Sequence, residues 1–62
     1  MTFTVEVERE EDGRWMAEVL ELAGVMAYGA DKDEAVARVQ ALALRVIAER
    51  LEHTGQRPPA DV

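Results

Sequence analysis

The sequence predicts an α+β fold: a three-stranded antiparallel meander followed by one long helix packed on one sheet face. Three observations predict it. Residues 2–9 alternate apolar and polar side chains, Asp12-Gly13 separates that run from a second one, and Lys32 to His53 contains neither Gly nor Pro.

The first strand is read over Thr2 to Arg9, with Phe3, Val5 and Val7 on one face and Thr2, Thr4, Glu6 and Glu8 on the other. A period of two is the mark of a half-buried strand. Asp12-Gly13 is a strong hairpin turn signal. Arg14 to Leu20 forms the second strand. Trp15, Ala17 and Val19 share one face, and Met16, Glu18 and Leu20 share the other. Alternation leaves open which set is buried; Trp15, the largest side chain, is the expected core member. Glu21 to Gly24 reads as a short turn. Val25 to Tyr28 is the third strand, ended by Gly29.

Asp31 opens the helix. With Glu34 three residues later it fits a capping box, Asp taking the usual Ser or Thr role. Lys32 to His53 is rich in Ala, Leu, Arg and Glu, all good helix formers, and Gly55 stands where a C-terminal cap belongs. Pro58-Pro59 then stops helix and discourages a central strand. Residues 1–55 therefore read as one domain and 56–62 as a tail, with room at most for a strand stub near Ala60 to Val62.

At about 100° per residue the helix shows three faces. Ala35, Val36, Val39, Leu42, Ala43, Val46 and Ile47 form the stripe that must cover the sheet. Glu34, Arg38, Arg45, Glu49 and Glu52 form a narrow charged stripe. Ala37, Ala41, Leu44, Ala48 and Leu51 form a second apolar flank, which a helix on one small sheet does not need. That flank is the candidate self-association surface.

Size gives a reason for one. A chain of 62 residues buries only about 60% of its unfolded surface. Domains this small usually add disulfides, a metal or a partner. With no cysteine and a single histidine the first two are closed, which leaves association, as a homodimer or higher homo-oligomer.

The net charge is −6, and the sequence pI is near 4.5. Residues 1–31 carry two basic and eight acidic groups, whereas residues 32–62 carry five of each. All the net charge lies in the sheet half. An acidic surface disfavours direct nucleic-acid binding and favours a basic partner. No apolar run approaches the ~20 residues of a membrane span, and no signal pattern opens the chain, so it reads as cytoplasmic.

No enzyme constellation can be assembled. Serine and cysteine are both absent, so the usual nucleophiles are missing. His53 closes the helix, where a protonated imidazole suits the dipole. Asp33 and Glu34 sit in its first turn, where acids do the same. Gly24 and Gly29 lack the Lys-Ser/Thr of a phosphate loop. The expectation is a non-enzyme with no cofactor and no metal.

The run from Gly13 to Ala35 resembles the HicB antitoxin family. That family shows an aromatic start to its second strand, an Ala-x-x-Pro-x-Leu-x-Gly type passage, and a Gly-Asp-Thr-x-Glu-Glu-Ala type helix start. Here Trp15, Ala17, Leu22, Gly24, Gly29, Glu34 and Ala35 fill the matching places. The likeness covers roughly residues 2 to 55; its combined order is moderately specific, and no single motif is. Ala23 stands where the family usually has Pro, and Asp31 replaces the capping Thr or Ser. The operator-binding domain that many members carry after the helix has no counterpart within these residues, and their fourth strand is missing or reduced to a stub around Ala60 to Val62.

The resemblance implies a partial RNase H-like layer without catalytic acids. It also implies a partner: a HicA-type toxin, a small basic ribonuclease whose active surface the antitoxin masks. Glu6, Glu8, Met16, Glu18, Leu20, Met26 and Tyr28 are the candidate toxin contacts. The rival expectation is an orphan HicB-like module, homo-oligomeric and structural or regulatory, with no toxin.

Overall fold

In the computed structural model, which describes residues 2–56, the chain runs β1 (Val5–Arg9), β2 (Trp15–Val19), β3 (Met26–Gly29) and α1 (Lys32–Gln56). The strands form one antiparallel sheet in the order β1-β2-β3. The predicted class and element order are those observed. The expected strand stub at Ala60 to Val62 lies outside the described residues, as does the tail from Arg57 onward. Among the described residues no helix is long and apolar enough to cross a membrane.

Each boundary has a local cause. β1 begins at Val5 rather than Thr2. The Thr4 amide donates to Glu21 Oε1 at 2.8 Å, while the Leu20 amide donates to the Thr4 carbonyl at 3.0 Å. A side chain thus replaces one rung, and the ladder ends there. The β1–β2 connection is a three-residue loop. Gly13 donates to the Glu10 carbonyl at 2.9 Å, and Glu10 donates to the Arg14 carbonyl at 2.7 Å. Gly13 has φ +93°, the left-handed position that closes such a loop with a bulge. Asp12-Gly13 therefore marks the hairpin as expected, with a loop one residue longer than the tightest turn.

β3 is shifted one residue from the expected Val25–Tyr28. The Val25 amide donates to Leu22 O at 3.1 Å inside the connecting turn, and the strand proper starts at Met26. Leu22 and Val25, which bound that turn, are both buried. The helix starts as expected. Asp31 Oδ1 accepts from the Glu34 amide at 2.8 Å. The returning carboxylate takes the Ala30 amide at 2.6 Å, one residue before the cap. At the other end α1 runs on to Gln56, so Gly55 lies in the last turn and not beyond it. One glycine costs a helix only about 1 kcal/mol, and the next firm stop in the sequence is Pro58, which disfavours helix at the preceding residue.

The core is Ala17, Val19, Leu22, Val25, Ala35, Val39 and Ala43. Trp15, Ala17 and Val19 are thus the inward set on β2, with Trp15 half-buried against the core. The helix contributes the expected stripe, Val36, Leu42, Val46 and Ile47 flanking its buried members. Three of the seven core residues are alanines, so the apolar area taken from water is small for the chain's length.

Small residues permit a close approach at the sheet's end. A Cβ on Gly29 would collide with the Ala35 amide nitrogen and with Glu34. The first turn of α1 therefore lies directly on the β3 backbone, and glycine is required there by space.

Candidate partner-binding surface

Residues facing each other across an antiparallel pair share a sheet face. The register pairs Glu6 with Glu18, Glu8 with Met16, Met16 with Tyr28, and Glu18 with Met26. With Leu20, which follows β2 in the same alternation, all seven candidate contact residues therefore lie on the face opposite α1. One row runs Glu8–Met16–Tyr28 and the next Glu6–Glu18–Met26. Leu20, Met26 and Tyr28 are 49%, 40% and 37% exposed. No described element covers this face.

Its charge is graded. Carboxylates stand on β1 and mid-sheet, while apolar and aromatic side chains dominate β3. Glu6 and Glu18 are directly opposed, an arrangement that costs stability in an isolated sheet. Positive charge placed over this pair would relieve that repulsion. Among the described residues Arg14 is the basic side chain on this side near Tyr28. Its guanidinium carbon lies 4.6 Å from the Tyr28 ring centroid, close enough for cation–π attraction. Asp12 holds it there through Oδ2, 2.8 Å from Arg14 Nε. The Arg14 amide also donates to Asp12 Oδ1 at 3.0 Å. These hydrogen bonds keep the Asp12 carboxyl below its ordinary range. The Arg14–Tyr28 contact was not legible in the sequence, because it depends on the register between β2 and β3, which pairs Met16 with Tyr28 and so brings Arg14 beside the ring.

The two sides of α1 face the two edges of the sheet. On the β3 side, Arg38 Nη1 donates to the Tyr28 carbonyl at 2.9 Å, and Nη2 lies 3.4 Å from Glu34. On the β1 side, Gln40, Ala43 and Leu44 form a groove with Phe3, Val5 and Val19. The helix lies across β3 and β2 and barely reaches β1, so Phe3, Val5 and Val7 are only half-buried.

The flank expected for self-association is exposed along its length, at Ala37, Ala41, Leu44, Ala48 and Leu51. Leu44 and Leu51 are 66% and 67% exposed. A helix of 25 residues is about 37 Å long, and strands of five residues span about 17 Å. The C-terminal part of α1 therefore projects past the sheet. His53 lies there, in a shallow groove with Val46, Glu49 and Arg50. Among the described residues no group of three or more His, Asp or Glu is placed to hold a metal ion.

Comparison with family models, with curated proteins and with solved structures finds no match to this chain.

Proposed function

We propose that the chain is a HicB-like antitoxin domain of a toxin–antitoxin system: a cytoplasmic, non-enzymatic protein that binds a small basic ribonuclease of the HicA type and masks its active surface. On this reading the sheet and helix are a partial RNase H-like layer, kept for its shape. The observation that supports the reading is the convergence of Glu6, Glu8, Met16, Glu18, Leu20, Met26 and Tyr28 on one uncovered sheet face. Such a face offers carboxylates to the cations that would otherwise hold RNA phosphates. Beside them it offers aromatic and methionine side chains of the kind enriched at protein interfaces. Masking needs no chemistry on the antitoxin, only an affinity that exceeds that of the RNA.

The test is direct. The product of the adjacent small basic gene is purified with this chain, and complex formation and RNA cleavage are measured together. The expected outcome is a complex and loss of cleavage at equimolar ratio. A basic neighbour that cuts RNA undisturbed by this chain would overturn the proposal.

A second reading is a homo-oligomeric structural or regulatory module without a toxin. The exposure of Leu44 and Leu51 on one apolar flank favours it. A genome neighbourhood lacking any small basic gene, with stable oligomers in solution, would select this reading over the first.

A further inference from the structure

The sheet's two edges are treated differently. The hydrogen bonds from Leu20 to Thr4 and from Glu10 to Arg14 set the parity of the β1–β2 ladder. Even residues of β1 bond β2, so the N–H and C=O groups of Val5, Val7 and Arg9 point away from the sheet. None of these groups has a hydrogen-bond partner among the described residues. On β3 the parity is the reverse, because Val19 donates to the Val25 carbonyl at 3.0 Å. Met26 and Tyr28 point outward there, and the Tyr28 carbonyl is already taken by Arg38. One edge has an outward carbonyl taken by a side chain, whereas along β1 none of the outward groups is paired among the described residues. Free edges invite strand addition, and most proteins block them.

Beside the free edge the inner face is open too. Phe3 and Val5 are half-buried, and with Leu44 they line a groove on the helix side. An added strand would complete both deficits at once. Its backbone would bond Val5, Val7 and Arg9, and alternate side chains would fill the groove.

Charge decides which strand. A second copy pairing through the whole of β1 centres on Val7, which sets Glu6 opposite Glu8 of the other copy, twice, on the outer face. Like charges directly opposed are destabilising. Registers that avoid this run off the N-terminal end of the strand at Val5. A strand carrying Lys or Arg at the two outer positions turns the same geometry into attraction.

We infer that β1 is the acceptor edge for an extended segment of a basic protein partner, with cationic residues opposite Glu6 and Glu8 and apolar residues between them. This rests on the reading of the chain as a binder of a basic protein, and it assigns how that partner is held: by strand addition, contiguous with the acidic sheet face.

The experiment uses the full chain and a short peptide alternating Lys with Val or Ile. A second peptide is N-methylated on the amides that would face β1, and a third has Glu in place of Lys. Hydrogen exchange is followed amide by amide. Saturation with the first peptide is expected to slow exchange at Val5, Val7 and Arg9 by about tenfold or more, with Glu6 and Glu8 little changed. The N-methylated peptide should bind at least about tenfold more weakly, since it keeps charge and apolar surface but loses the ladder. The double variant Glu6→Lys/Glu8→Lys should prefer the Glu peptide. Val7→Pro removes one edge donor without touching the β2 ladder, and it should weaken the Lys peptide.

Equal binding of methylated and unmethylated peptides, or failure of the Lys peptide to bind, would overturn strand addition. A complex with the basic gene product would still stand in either case. Protection of the same amides that rises with protein concentration and without peptide would also overturn it, by showing a second copy on the edge.

Discussion

Arg38 joins the second turn of α1 to the β3 backbone, its Nη1 donating to the Tyr28 carbonyl at 2.9 Å. The same guanidinium meets Glu34, whose other oxygen holds the Ala30 amide. One residue thus links the helix start, the strand end and the edge of the sheet. Arg38→Met keeps much of the aliphatic bulk and removes the bond to Tyr28 and the ion pair with Glu34. Because the site is exposed, the expected loss is about 1 kcal/mol in urea unfolding. Light scattering should also show more association, since the Tyr28 carbonyl is then open to pairing at the β3 edge. Unchanged stability and an unchanged scattering profile would remove Arg38 from this role.

Gly29 is set by contact. Gly29→Ala places a methyl against the backbone of Glu34 and Ala35, and overpacking of this kind costs about 1–3 kcal/mol. Thermal unfolding should fall by several degrees, roughly 4–8 °C for each kcal/mol in a domain of this size. Asp31→Ala, which only removes the cap, should cost about 1 kcal/mol.

Acid should weaken the hairpin and the start of β1. Glu21 accepts the Thr4 amide and Asp12 accepts from Arg14, so both carboxyls titrate below their ordinary values of 4.5 and 3.8. A group whose folded value is lowered adds stability above its unfolded value. That contribution fades as pH falls through the unfolded and then the folded value. Unfolding measured from pH 6 downward should show this loss beginning near pH 4.5. Glu21→Gln should flatten the upper part of the curve, and an identical curve would show that the Thr4 bond carries no weight. Salt should reduce the Asp12–Arg14 part.

Leu44→Glu separates association from folding. The side chain is 66% exposed, so the monomer should change by about 0.5 kcal/mol or less. Any oligomer using the Leu44–Leu51 flank should dissociate at micromolar concentration in light scattering. Monomer alone in the unmodified protein would defeat self-association outright.

Element types were legible because each was written at its own period. Phe3, Val5 and Val7 alternate, and Val39, Leu42, Ala43 and Val46 recur at helical spacing. Ends were less so, because they turn on single bonds. The Glu21 carboxylate shortens β1, and the Leu22 carbonyl delays β3. The uncovered sheet face was legible as a set of residues, once parity was assumed. Its relation to the edges was not. That depends on where the helix lies across the sheet, and no local pattern encodes the side on which Arg38 or Leu44 ends up.

Alternation along β2 divides labour between neighbouring residues. Ala17 and Val19 are sealed beneath the helix, while Met16, Glu18 and Leu20 touch none of that core. Substitutions at the even positions therefore leave the packing almost unaffected. Descendants of this chain can rewrite the chemistry of the uncovered face by exchanging every second residue of a strand, and keep the architecture intact while they do so. Insertion of one residue inside β2, between Trp15 and Val19, has the opposite consequence. It would exchange the two sets beyond the insertion and turn Val19 out of the core.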